Sequence, residues 1–365
     1  MKKLIKRSVQ TMQGYVPGEQ SRDPGIVKLN TNENPYPPSP MVAKSLQAIS
    51  IEELRLYPNP TALKLRQRIA AVHGCDVDNV FVGNGSDEVL ALCTRAFVED
   101  TGSIGFFNPS YSLYPVLALI RDVPVRPVEL SAGFSWQMPR GYNTSLFFLT
   151  NPNAPTGMLH DKATVSRFCR QMPGVVVIDE AYVDFASAHC MDLAMKRSNV
   201  LVVRTLSKAY SLAGLRVGYT IGAKPLIAAL FKLKDSYNTD TIAQHLALAA
   251  LSDLRHMRAN VRQIKNTRIR LAGLLAERDV FVYPSETNFF WVRPPVVSAR
   301  VFYESLRNRL IMVRYFDGPR TRDFVRITIG TDQQVDKLIN AIDELELARA
   351  PSACGSRTGN RKGNL

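Results

Sequence analysis

Cysteine is scarce in this chain and unpaired in pattern. The five cysteines, Cys75, Cys93, Cys169, Cys190 and Cys354, include no C-x-x-C spacing, and their odd number argues against a disulfide framework. The five histidines never fall in H-x-H or H-E-x-x-H spacing, so no metal site is expected. No apolar run approaches a membrane span, and the basic start MKKLIKRSVQ is followed by no apolar stretch of signal length. No internal repeat is evident. Together these absences predict a cytoplasmic protein that uses neither metal nor membrane.

Acid is also in deficit, with 32 Asp and Glu against 46 Lys and Arg, a net charge of +14. Such a balance invites a nucleic-acid or other basic binding role, so the location of the excess matters. Lys2, Lys3, Lys6 and Arg7 crowd residues 1–7, and Arg349, Arg357, Arg361 and Lys362 fall in 349–365, neither stretch holding an acid. The charge is therefore largely terminal, the tail SACGSRTGNRKGNL reads as disordered, and no groove-reading motif is present. A mild basic field would still attract phosphorylated small molecules.

What is present is an alternation of β-type and helical stretches. The runs Val80–Val82, Leu146–Thr150, Val175–Asp179, Val200–Thr205 and Val217–Ile221 are short and rich in apolar residues, and between helical segments they predict an α/β core with a mostly parallel sheet. A helix is expected over 61–72, and one long basic helix from about Thr241 to Glu277 leading into a smaller unit. That unit reads as strands at 281–283 and 288–292, a helix over 298–309, two arginine-bearing strands and a final helix from Asp332. At 365 residues with 45% hydrophobic content the chain can bury a large core and divides into two domains.

Three segments carry chemistry. In TLSKAYSLAGLRVGY (Thr205 to Tyr219) Lys208 follows an apolar strand, beside Ser207 and eight residues ahead of Arg216. A lysine that forms a Schiff base needs surroundings that lower its pKa, and a phosphorylated cofactor needs hydroxyl, amide and cationic groups converging on its anion. A Ser-Lys pair at a strand end is, taken alone, equally the makings of a solvated loop. In VVVIDEAYVDF, Asp179 stands at the carboxyl end of a buried strand, where open α/β sheets bind ligands. A carboxylate there can pair with a protonated pyridine nitrogen or simply cap the next turn. In VFVGNGSDEVLALCTRAF, Gly83 and Gly85 lead to Ser86 and Asp87 at a helix start, a phosphate site built from amides or an ordinary tight turn.

With these segments stand KLNTNENPYPPSP, LYPNP, NPSYSLY, NPNAPTG, SETNFFWVR, MVRYF and VRITIGT. In this order, across about 330 residues, the set resembles the fold type I pyridoxal phosphate enzymes and, within them, the histidinol-phosphate aminotransferases. The resemblance implies an α/β fold with a large domain whose mostly parallel central sheet is flanked by helices, plus a smaller α/β domain. The expected divisions are an amino-terminal arm (1–35), the large cofactor-binding domain (36–245), the small domain (246–348) and the tail (349–365). It implies pyridoxal 5'-phosphate as cofactor, L-histidinol phosphate and 2-oxoglutarate as substrates, with imidazole acetol phosphate and L-glutamate as products, and a homodimer with shared active sites.

By the same resemblance Lys208 forms the Schiff base, Asp179 pairs the pyridine nitrogen, and Tyr182 bonds the ring oxygen. Tyr111 stacks on the ring. The cofactor phosphate falls to the amides of Ser86 and Asp87, the hydroxyls of Thr205 and Ser207, and Arg216, with Tyr57 reaching the neighbouring subunit's phosphate. Arg326 clamps the substrate carboxylate or phosphate with Arg314 in support, although an arginine in such a strand also suits an exposed edge. Tyr15 closes over the substrate phosphate, and Asn32 lines the amino-acid side. One departure stands out: where the family pattern NPNNPTG carries the asparagine that bonds the ring oxygen, this chain has Ala154. Asn153 or Asn151 takes that bond over, or Tyr182 carries it alone. An aromatic amino acid aminotransferase and a threonine-phosphate decarboxylase share these landmarks.

Overall fold

The computed structural model describes residues 4–21 and 23–347. The expected disordered tail, Cys354 and the charges at Lys2 and Lys3 lie outside the described residues.

Seven strands form the central sheet, in the order Val80–Asn84, Val217–Gly222, Val200–Thr205, Val175–Asp179, Leu146–Thr150, Ile104–Asn108, Val125–Glu129. Only Val217–Gly222 runs antiparallel to its neighbours. The inner strands are apolar without alternation because both faces are covered. Val176 and Ile178 join one hydrophobic cluster while Val177 joins the other, and Val200 and Val202 are separated in the same way from Leu201 and Val203. Helices Gly85–Phe97, Leu113–Arg121 and Lys224–Leu233 cover one face through residues such as Val89, Leu117 and Leu230. Helices Lys162–Gln171 and Met191–Lys196 cover the other through Val165, Phe168 and Leu193.

Two of the seven strands were not expected from the sequence. Ile104–Asn108 has Gly105 as its second residue, and Val125–Glu129 is an edge strand that carries Pro127 and leaves all but Val128 exposed. An edge tolerates a proline and polar side chains, so neither the alternation nor the apolar run that marks a strand is present.

A four-stranded antiparallel sheet, ordered Arg314–Tyr315, Val325–Thr328, Phe289–Arg293, Phe281–Val282, makes the second unit. The long basic helix is in fact two, Thr241–Ser252 and Leu254–Ala276. Asp253 separates them, its carboxylate accepting from the His256 amide at 3.2 Å as an N-cap. The amino-terminal segment belongs with this unit: Val27–Lys28 pairs in parallel with Ile311–Met312. Asn32 then reaches Thr328, whose Oγ1 lies 3.0 Å from both the Asn32 amide nitrogen and its Oδ1.

Candidate active site

A cavity of about 480 Å³ opens where the carboxyl ends of the central strands meet the amino-terminal segment and the second sheet. Lys208, Asp179, Tyr182, Tyr111, Ser86, Asp87, Thr205, Ser207, Arg216, Tyr15, Asn32, Arg314 and Arg326 all line it. They come from stretches as far apart in sequence as Tyr15 and Arg326, and strand order brings them together.

Lys208 follows the Val200–Thr205 strand, and its Nζ donates to the Thr31 carbonyl at 3.1 Å. Burial, then the positive charges of Arg326 and Arg216, pull its ammonium down to about 8, against the opposing charge of Glu33. A pKa so lowered makes the free amine far more populated near neutral pH than that of an ordinary lysine, which favours its use as a nucleophile and base. Glu33 is itself pulled up by burial, but hydrogen bonds from Lys28 and Thr31 outweigh this and hold it below the usual carboxylate range. Asp179 is 3% exposed. Burial raises its carboxyl to about 6, opposed by hydrogen bonds from Tyr114 and the Ala181 amide.

Tyr182 lines the cavity beside Ala154. Asn32 Nδ2 donates to the Tyr182 hydroxyl at 3.0 Å, which leaves the phenolic proton free to be donated into the cavity. Neither asparagine of the NPN run faces that way. Asn153 Nδ2 donates to the Pro109 carbonyl and Thr156 Oγ1, at 3.2 and 3.0 Å, and Asn151 is engaged with His160 and Cys190. Asn153 is absent from the cavity wall: its Nδ2 is used in folding the loop, while its buried Oδ1 has no partner. Ala154 lines the wall instead, packed with Tyr182 and Phe289.

The residues expected to hold a phosphate converge tightly. Thr205 Oγ1 lies 2.9 Å from Ser207 Oγ, and Arg216 Nη1 lies 3.5 Å from Ser207 Oγ while Nη2 is 3.3 Å from Asp87 Oδ2. The start of the Gly85–Phe97 helix reaches this corner over two glycines. Gly85 has φ +81° and Gly218 lies so close that a Cβ there would sit 2.3 Å from the Ser86 nitrogen. Hydroxyls, a guanidinium and free helix-start amides fit a phosphate monoester; with a lowered lysine and a buried carboxylate beside them, the set fits pyridoxal phosphate.

Arg326 is the most deeply committed cation. Nη2 donates to the Asn30 carbonyl at 2.9 Å, the guanidinium lies over the Phe289 and Phe316 rings, and buried Nε has no partner. Arg314 instead donates to the carbonyls of Pro17 and Val16, at 3.2 and 3.0 Å, and so ties down the arm that carries Tyr15. Tyr15 meets Tyr111 edge-on, with ring centroids 5.7 Å apart. Tyr57 lies away from the cavity, 81% exposed and stacked on Tyr237 at 4.4 Å. Sequence reasoning missed Thr31, Glu33, Tyr114 and Thr150. The first three sit inside motifs already singled out, but nothing local in the sequence points any of the four at Lys208 or Asp179.

The pattern of the family described as "Aminotransferase class I and II" matches residues 24–342. The chain belongs to this family. It is a pyridoxal phosphate-dependent transaminase of fold type I. Curated histidinol-phosphate aminotransferases of Rippkaea orientalis and Synechocystis sp. are 39% and 41% identical to it, each over 94% of this chain and 98% of the relative. Among solved structures, the histidinol-phosphate aminotransferase of Sinorhizobium meliloti in complex with pyridoxal-5'-phosphate superposes with a TM-score of 0.84 at 24% identity, covering 94% of this chain and 98% of that one. The L-threonine-O-3-phosphate decarboxylase of Porphyromonas gingivalis shares the fold at a TM-score of 0.78 and 23% identity, covering 88% of this chain and 100% of that one. Among the described residues no group of His, Cys, Asp and Glu is arranged to hold a metal, and no helix is long and apolar enough to cross a membrane.

Proposed function

We propose that this transaminase moves the amino group of L-histidinol phosphate to 2-oxoglutarate, yielding imidazole acetol phosphate and L-glutamate in histidine biosynthesis. The observation that carries this reading is full-length similarity at about 40% identity to enzymes of that name. The cavity supports it with Arg326, a buried guanidinium whose Nε is left for an anion.

Pyridoxal phosphate, when bound, supplies the electron sink and carries the amino group between half-reactions. Asp179 would hold its pyridine nitrogen, Tyr182 its ring oxygen, and Thr205, Ser207, Arg216 and the Ser86 and Asp87 amides its phosphate, with Tyr111 against the ring. Lys208 Nζ would hold the cofactor and, once freed by the substrate amine, would take the proton from the substrate α-carbon and deliver it to the cofactor carbon. Arg326 grips a substrate anion, and Tyr15 on the Arg314-anchored arm excludes water above Tyr111.

The reading extends to assembly. A homodimer in which Tyr57 serves the partner's cofactor accounts for a tyrosine left exposed beside exposed Ile51, Leu54 and Leu56. The reading also divides the chain into an arm, a large domain and a small domain at 1–35, 36–245 and 246–348; the last boundary falls within the Thr241–Ser252 helix, ahead of the break at Asp253. A cytoplasmic location suits the described cysteines, all four of them free thiols.

The test is an absorbance titration of the purified protein with pyridoxal phosphate, then with L-histidinol phosphate in the absence of any keto acid. A lysine-dependent cofactor band, missing in Lys208→Ala, should form and be converted by this amine. A band that ignores L-histidinol phosphate but responds to phenylalanine or threonine phosphate discards the substrate, and no band discards the Lys208 role.

A further inference from the structure

Both oxygens of the Asp179 carboxylate are already engaged by the protein. Oδ1 accepts from the Ala181 amide at 3.1 Å, and Oδ2 accepts from the Tyr114 hydroxyl at 2.9 Å. Tyr114 comes from the first turn of the Leu113–Arg121 helix and is fully buried. Its ring stacks on Phe148 at 4.6 Å and meets Tyr111 edge-on at 5.6 Å. The same hydroxyl lies 2.5 Å from Thr150 Oγ1, which in turn is 3.2 Å from Ser110 Oγ.

A phenol has one proton and an ionised carboxylate can only accept. The Tyr114 proton is therefore committed to Asp179, Thr150 must donate to the Tyr114 oxygen, and Thr150 can accept in turn from Ser110. The hydrogen bonds run in one direction, from Ser110 through Thr150 and Tyr114, and end on the carboxylate.

We propose that Tyr114 is a positioning residue for transamination: its hydroxyl, oriented by Thr150 and Ser110, locks the Asp179 carboxylate in the arrangement that receives the cofactor's ring nitrogen. The proposal rests on the assignment of Asp179 to that nitrogen. Around Asp179, burial, Asp87 and Glu180 favour the neutral acid, while Tyr114 and the Ala181 amide favour the anion. Tyr182 also lies in the field of this carboxylate, and burial holds it above the usual phenol range. Tyr114, raised far above that range by burial and by Asp179, is a permanent donor. Without it the carboxyl shifts further upward, so the anion is lost at a higher pH and the deficit grows as pH falls.

Tyr114→Phe keeps the ring packing and removes only the oxygen. Dissociation constants for pyridoxal phosphate, measured at about pH 6 and about pH 8.5 with melting of the cofactor-free proteins as a check on folding, decide the matter. Tyr114→Phe is expected to bind about tenfold more weakly at the lower pH, the size of one charge-assisted hydrogen bond, and less so at the higher, with the acid limb of kcat moved upward. Thr150→Val should shift both in the same direction by less, and Thr150→Ser should restore them. Wild-type affinity in Tyr114→Phe, or a loss equal at both pH values, overturns the role of Tyr114 provided Asp179→Asn is impaired. An unimpaired Asp179→Asn overturns the underlying assignment instead.

Discussion

Burying Lys208 costs the folded protein stability wherever the side chain is still charged. Its ammonium falls from 10.5 to about 8 in the fold, chiefly through burial. Between those values the unfolded chain binds a proton that the folded chain does not, so stability rises with pH across that window, and the penalty is full below about 8. Cofactor-free Lys208→Met should therefore melt above cofactor-free wild type at neutral pH, by on the order of 3 kcal/mol at most. The gap should narrow as pH climbs toward 10.5, and a gap indifferent to pH in calorimetry would dispose of the idea. The lysine itself was legible because a strand, a serine and an arginine bracket it in sequence. Its partners Thr31 and Glu33 were not, since only the folded chain places a loop 175 residues away against Nζ.

At the scale of elements, the phosphate corner is a close approach of a strand to a helix start. The Val217–Gly222 strand passes under the first turn of Gly85–Phe97, and a Cβ at Gly218 would sit 2.3 Å from the Ser86 nitrogen and 2.6 Å from the Gly85 carbonyl carbon. Both are backbone atoms that cannot swing aside as a side-chain end can. Gly218→Ala is thus expected to cost about 2 kcal/mol or more in stability and to weaken pyridoxal phosphate binding through the displaced amides. Thermal melting and a binding titration would check both. An alanine variant that binds and melts as wild type would mean that the helix start is free to move. The glycine at 85 could be noticed in sequence as part of a turn motif, whereas Gly218 sits in an ordinary-looking strand run. Its meaning depends on antiparallel pairing with Val80–Asn84, a non-local contact. The break at Asp253 shows the same limit from the other side, for helical composition continued through it and a single cap divided the helix.

For the whole molecule, the prediction concerns shared sites. If Tyr57 serves the partner's cofactor, mixing Lys208→Ala and Tyr57→Ala chains leaves one hybrid site with both residues intact. Activity should reappear on co-expression, to a fraction of wild type, while each variant alone stays impaired. Absence of complementation in a dimer verified by sedimentation would confine Tyr57 to its own subunit. The sequence by itself determined the α/β class, the family and most of the residues that meet in the cavity. Short motifs tied to strand ends and helix starts report local geometry and chemistry, and these need no knowledge of the rest of the chain. Tertiary structure alone decided that Asn32 donates to the Tyr182 hydroxyl, that Arg314 grips the arm, and that Tyr114 donates to Asp179. Each of these depends on which side chain lies within about 3 Å of which, and at separations of tens to hundreds of residues only the packing of the chain sets such distances.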